Sequence, residues 1–263
     1  MKIFEGTIIS CDRDDSVHRY LVEDKGRIVF VGDVLPAEYE GAPRESLAAR
    51  SLLPAFGDTH LHFMSHALFH AGLDVRSAGS VPQLCERVRE FAAAHRDGII
   101  MGFGASPHSV EERRLVSRDE LDKACPDRAV FLVKYDGHAC ILNSRTIGML
   151  PGRIRRLRGY HPETGEMNQE AFFAVTDFIT RKVSLPRTIG NMLRAVDDMA
   201  DQGIGMMHTV SGVGFPMDLD VTLEIIFGKG LNTGFQSRVF FQTMSIDKVR
   251  KRKLPREIGR AHV

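Results

Sequence analysis

Two histidines one residue apart, in His60-Leu61-His62, are the residues of this chain whose type and spacing point most directly to chemistry. Side chains at i and i+2 of an extended segment project from the same face. At the end of a strand, two imidazoles would therefore converge. Neutral imidazole is the commonest side-chain ligand for metal ions, and two such rings can fill two positions around Zn²⁺. The competing reading is a pair of turn histidines that bind nothing, since eleven histidines in 263 residues produce such pairs by chance. The surroundings favour the first. Leu52 and Leu53 lead in as an apolar strand, Pro54 and Gly57 set a turn, and Asp58 offers a carboxylate that can orient an imidazole from behind.

Hydrophobic patterning indicates the elements that must hold this pair. Over residues 1–50, Thr7-Ile8-Ile9-Ser10-Cys11, Tyr20-Leu21-Val22-Glu23 and Arg27-Ile28-Val29-Phe30-Val31-Gly32 read as short strands between polar turns, a small β layer with no catalytic cluster. From Ser51 onward, apolar runs alternate with helical periods. Helices are predicted over 81–95, capped by Ser80, and over 117–124, where Ser117 and Glu120 stand at capping-box spacing. Further helices are predicted over 169–183, 187–202 and 219–228, and residues 153–165 read as a loop. Strands are predicted over 99–104, 129–133, 203–210 and 237–242. This alternation predicts an α/β fold built on parallel pairing.

Composition narrows the function classes. The chain is 43% hydrophobic, enough for a substantial core, and its charges nearly cancel at +1, which argues against a nucleic-acid or membrane-surface binder. The basic run at residues 248–253 reads as a solvated helix face; its alternative, a polyanion-binding segment, predicts salt-sensitive binding. Four cysteines without CxxC spacing read as reduced thiols in a cytoplasmic protein. Residues 1–6 lack the long apolar stretch of a signal peptide, so none is expected, and no run approaches the ~20 consecutive apolar residues of a membrane span.

The segment Leu53-Pro54-Ala55-Phe56-Gly57-Asp58-Thr59-His60-Leu61-His62 resembles the "PGF-x-D-x-H-x-H" signature of the amidohydrolase superfamily. Residues 26–32 resemble part of that superfamily's N-terminal β-sandwich segment. Two further stretches resemble the N-substituted formamide deformylase-like branch: Leu121-Asp122 through Pro126, then residues 130–139, with Asn143-Ser144; and Gly165-Glu166-Met167 with Glu170-Ala171. The resemblance covers residues 1–256. It implies an incomplete TIM-type (β/α) barrel preceded by a small β-sandwich segment, with a large insertion, about 63–190, after the first barrel strand. The expected division is 1–50 for the sandwich segment and 51–256 for the partial barrel.

The resemblance also implies a metal-dependent hydrolase of non-peptide C–N bonds acting on a small-molecule amide, formamide or cyclic amide, with homodimerisation of the full-length protein as an expectation. One or two divalent ions, zinc the expected one, would lower the pKa of bound water toward about 7 and polarise the carbonyl. His60 and His62 match the metal ligands of the first strand. Two threadings remain open for the others. In one, Lys134 is the carboxylated lysine and His208 a ligand. In the other, Lys134 lies in the insertion and residues 203–210 form the second barrel strand; the helix followed by Gly203-Ile204-Gly205-Met206-Met207-His208 fits this better. Lys134 has the simpler alternative of a salt bridge to a neighbouring acid, and His208 that of a core histidine satisfied internally. His138, within Asp136-Gly137-His138, either contacts substrate at the mouth of the site or bonds to backbone. His66, His70, His95, His108 and His161 carry no motif and are expected at the surface or in caps.

Relatives in this branch are about twice as long as this chain, so the catalytic general-base aspartate and the remaining ligands are expected in a missing C-terminal part. Residues 257–263 read as the translation of a sequencing-library adapter, which removes His262 from consideration as a ligand. The chain alone is therefore expected to be inactive and poorly soluble, because a partial barrel leaves strand edges unpaired. Alternatives from other classes are a deaminase or dihydroorotase-like enzyme sharing the paired histidines, and a non-catalytic relative.

Overall fold

The structure, a computed structural model, describes residues 1–96, 98–212, 218–230, 235–242 and 247, apart from the side chain of His70. The basic run at 248–253 and the segment 257–263 lie outside the described residues.

Strands β1 (Lys2–Ile9), β2 (Val17–Asp24), β3 (Arg27–Gly32) and β4 (Arg44–Leu52) form one sheet in the order β3-β2-β1-β4, antiparallel except for β1 and β4. Ile3, Tyr20 and Val22 pack on one of its faces, and Ile8, Leu21 and Leu47 on the other. The lead-in expected as one strand is split. Leu52 closes β4 in this sheet, and β5 (Phe56–Leu61) begins a different one after a break at 53–55.

The second sheet is built from β6 (Leu73–Asp74), β7 (Ile100–Ala105), β8 (Val130–Lys134), β9 (Ala139–Leu142), β10 (Tyr160–His161) and β11 (Glu166–Asn168), in the order β10-β11-β9-β8-β7-β6. Its central strands are buried on both faces, which is why they read as unbroken apolar runs. Val130 and Leu132 meet helices α2 (Val81–Ala94) and α3 (Arg118–Ala124). Phe131 and Val133, with the opposite parity, meet Phe172, Val175 and Ile179 of α5 (Gln169–Thr180). Both predicted caps are formed: Ser80 accepts from the Gln83 amide at 3.3 Å, and Ser117 and Glu120 make the reciprocal capping box. Parallel pairing, as the alternation implies, holds for β6–β7 and β7–β8 but not for the rest of this sheet. β8–β9, β9–β11 and β11–β10 are antiparallel. The chain reverses after Lys134 because Gly137 adopts φ +71° and donates its amide to the Lys134 carbonyl at 3.0 Å, a turn that Asp-Gly sequences favour. Between β9 and β10 the short helix α4 (Ser144–Met149) begins at Asn143.

The third sheet carries the paired histidines. It is parallel, in the order β13-β12-β5, with β12 (Ile204–Ser211) central and β13 (Gln236–Phe241) at one side. Helices α1 (Phe63–His70), α6 (Leu185–Asp201) and α7 (Leu219–Gly230) cover one face. Phe63, Met64, Met192, Met199, Met207 and Phe227 form the core there. The β12 residues of opposite parity are only partly buried, and Phe56 at the start of β5 is 64% exposed. Among the described residues no helix is long and apolar enough to cross a membrane.

Candidate metal centre

His60 lies near the C-terminal end of β5, and His62 follows as the N-cap residue of α1. Their rings stand 5.7 Å apart, edge to face, and both are exposed. His62 Nδ1 lies 2.7 Å from the Val210 carbonyl, 148 residues along the chain. A carbonyl only accepts, so Nδ1 must carry the proton, and Nε2 is left with its lone pair. That is the arrangement in which a backbone group fixes the tautomer of a metal-binding histidine. With Zn–N bonds of about 2.0–2.1 Å in tetrahedral geometry, two coordinated rings have centres about 5 Å apart. The observed 5.7 Å is close to that spacing, so the pair is compatible with two ligand positions on one ion. Among the described residues no group of three or more His, Cys, Asp or Glu side chains converges as a cage. The pair supplies two positions and not a complete set.

Asp58 does not orient an imidazole. Its Oδ1 accepts the His60 amide at 3.0 Å and so shapes the backbone of the motif.

The two rings sit at the edge of a cavity of about 780 Å³ between the second and third sheets. Phe69, Phe103, Phe172 and Phe173 form its apolar wall. The turn after β8 contributes Asp136 and His138 to the same cavity. His138 Nδ1 lies 2.6 Å from the Asp136 carbonyl, so this ring too is held by backbone with Nε2 left over. Asp136 is drawn two ways. Burial pushes its carboxyl up, but the Lys134 ammonium and the His138 amide outweigh that and hold it below the ordinary carboxylate value. Asp74 and Arg76, also on the cavity wall, form a two-pronged pair with Nη2–Oδ2 at 2.8 Å. The guanidinium keeps the Asp74 carboxyl ionised and lowered.

The remaining candidates are placed elsewhere. Lys134 has Nζ 2.9 Å from Asp136, which raises its pKa and holds it as an ammonium, and its side chain is not among those lining the cavity. His208 packs its ring against Phe240 at 5.3 Å and is also outside the lining. His66, expected as a surface or capping residue without a motif, lies on the cavity wall instead, because α1 starts straight after His62 and turns it inward. His95 does end a helix, stacked on Phe91. Several residues of the branch-like stretches serve the scaffold: Asn143 caps α4 and accepts the Val130 amide at 3.0 Å, and Ser144 donates to Asp122.

A second set of polar groups, not singled out by the sequence reading, stands behind the pair. Glu224 and Asp220 of α7 are 1% and 2% exposed. Glu224 Oε1 accepts the Met64 amide at 3.0 Å, and Oε2 accepts from Ser211 Oγ at 2.6 Å. Burial raises the Glu224 carboxyl to about 7, against the hydrogen bond from Ser211 and with the help of Asp220. Asp220 is raised as well, by burial first, although its Oδ2 accepts the Gly212 amide at 2.6 Å. Carboxylates four residues apart on one helix were the available sequence signal.

Comparison with known proteins agrees with this frame. An uncharacterized metal-dependent hydrolase from Pyrococcus furiosus superposes with a TM-score of 0.66 at 22% identity, over 98% of this chain and 55% of that one. Another from Pyrococcus horikoshii gives 0.63 at 22% identity, over 92% and 48%. At this identity the likeness is one of fold, an α/β architecture. Protein LONG AFTER FAR-RED 3 of Arabidopsis thaliana is 22% identical over 215 residues, 77% of this chain. The chain spans 36% of that protein's length. The sequence profile of the Amidohydrolase family matches residues 46–235, from within β4 to the threshold of β13. That match takes in well over half of the chain, including the strand with its two histidines and the strand hydrogen-bonded beside it, and the chain belongs to the Amidohydrolase family.

Proposed function

We propose that this chain carries the first metal-ligating strand of a hydrolase that cleaves non-peptide C–N bonds in small amides, formamides or cyclic amides, in the N-substituted formamide deformylase-like branch. His60 and His62 are the ligands to a divalent ion, with zinc the expected metal. The single observation behind this is the pair of adjacent rings over the cavity, with His62 held by the Val210 carbonyl so that Nε2 is available. When bound, the ion supplies an acidified water and polarises the substrate carbonyl.

The chain's own residues bind and orient. The four phenylalanines exclude water from one wall and take an apolar substituent of the substrate. His138, fixed through Nδ1, presents a hydrogen-bonding ring to the substrate from the cavity lining. Strands β5, β12 and β13 are assigned as the first three strands of a TIM-type barrel, with about 63–190 inserted after the first. The parallel pairing of β5 with β12 across that long separation supports this, as does the active-site placement at the C-terminal ends of barrel strands. In this frame Lys134 belongs to the insertion, and the general-base aspartate and remaining ligands belong to the rest of the barrel.

The test is metal content. The intact protein, loaded with Zn²⁺ and desalted, is compared with H60A, H62A and the double variant by elemental mass spectrometry. Each single variant should lose metal affinity at least roughly tenfold. Unchanged metal content in the double variant refutes the assignment.

A further inference from the structure

Helix α1 begins directly after His62, so the amides of its first turn have no partner within the helix and must find acceptors elsewhere. The Phe63 amide goes to Thr209 Oγ1 at 3.1 Å, and the Met64 amide to Glu224 Oε1 at 3.0 Å. Thr209 Oγ1 and Ser211 Oγ are 3.1 Å apart, and Ser211 Oγ is 2.6 Å from Glu224 Oε2. With the Glu224 carboxyl ionised, it accepts at both oxygens, and Ser211 gives its proton to Glu224. Thr209 then gives its proton to Ser211, and its lone pairs accept the Phe63 amide. When the carboxyl is protonated, its own O–H takes the contact to Ser211, and the Phe63 and Met64 amides keep the same acceptors. The chain of hydrogen bonds runs from residue 63 through Thr209 and Ser211 to one carboxyl. Thr209, Ser211 and Glu224 are all buried. Val210, between the two hydroxyls, lends its carbonyl to the His62 ring on the cavity side.

We infer that Glu224 is a positioning residue for the histidine pair: it anchors the backbone at 63 and 64 by one direct and one relayed hydrogen bond, and so fixes where His62 stands relative to β12. This rests on the assignment of His60 and His62 as metal ligands for its functional meaning, though not for its geometry. A purely structural role would be shared by any buried residue of α7. Val221 is such a residue, fully buried against Val239 and Phe241 and without a hydrogen-bonding side chain.

The experiment compares wild type, E224Q, E224A and V221A in the intact protein. Co²⁺ affinity is read from the visible spectrum on titration. Metal-free hydrogen exchange of the peptide bearing residues 62–66 is read by mass spectrometry. E224A should weaken Co²⁺ roughly 10–100-fold and speed exchange roughly tenfold. E224Q, which keeps an acceptor for the Met64 amide, should stay within about threefold of wild type on both. V221A should leave both near wild type after correction for its fall in Tm. Wild-type exchange in E224A, or an equal acceleration in V221A, overturns the inference. Should E224A not fold, T209V removes the acceptor for Phe63 with little change of shape; acceleration there supports the inference and wild-type exchange overturns it. If H60A/H62A leaves Co²⁺ affinity unchanged, it is the ligand assignment that fails, and the metal-free exchange arm still decides the role of Glu224.

Discussion

Glutamate 224 should make the protein less stable as pH rises through neutrality. In the unfolded chain this carboxyl titrates at its ordinary 4.5, and in the folded protein burial raises it to about 7. Between those values the folded state holds a proton that the unfolded state has released. The free energy of unfolding therefore falls with pH across that window and is level outside it. At about 1.4 kcal/mol for each pH unit, the loss is about 3 kcal/mol between pH 4.5 and pH 8. E224Q has no proton to release, so its stability lacks this slope. The measurement is urea unfolding of wild type and E224Q at intervals from pH 4.5 to 8.5, taking the difference between the two at each pH. Subtraction removes the histidines and Asp220, which both proteins share. The difference should drift against wild type by about 3 kcal/mol as pH rises. A difference constant with pH would show that the Glu224 carboxyl is not raised, and the account of its desolvation would be wrong.

Three further outcomes test the scaffold around the site. Ser117→Ala removes one half of the capping box of α3 and should lower stability by about 1 kcal/mol in thermal or urea unfolding. Gly212→Ala should cost about 1–3 kcal/mol and loosen the end of β12, seen as faster hydrogen exchange there: φ is +112°, and a Cβ would stand 2.5 Å from the Gln242 carbonyl oxygen. Lys134→Met breaks a partly exposed ion pair and should cost less than about 1 kcal/mol while leaving metal content unchanged. Loss of the bound metal in that variant would return Lys134 to the ligand set.

The elements were legible where local physics sets them. The capping spacing of Ser117 and Glu120, and the apolar run 129–133, predicted α3 and β8 to within a residue or two. Helix α1 escaped notice because its sequence is too short and too apolar to show a helical period. The antiparallel return of β9 and β11 was missed because a buried strand reads the same in either direction. Asp136-Gly137 carried the turn signal that would have corrected it. At the site, the spacing of His60 and His62 was enough to anticipate two neighbouring rings. The pairing of Lys134 with Asp136 was anticipated as its simpler alternative.

By itself the sequence determined which residues could be strands, helices and paired imidazoles, since periods of two and 3.6 and cap spacings are written over a few consecutive residues. The resemblance already implied residues 203–210 as the strand beside the first; tertiary structure alone decided that the Asp136-Gly137-His138 turn lines the same cavity and that Glu224 stands behind the histidines. Hydrogen bonds between strands so far apart in the chain, and the desolvation that raises a buried carboxyl, depend on which surfaces meet in space. No local pattern records that meeting.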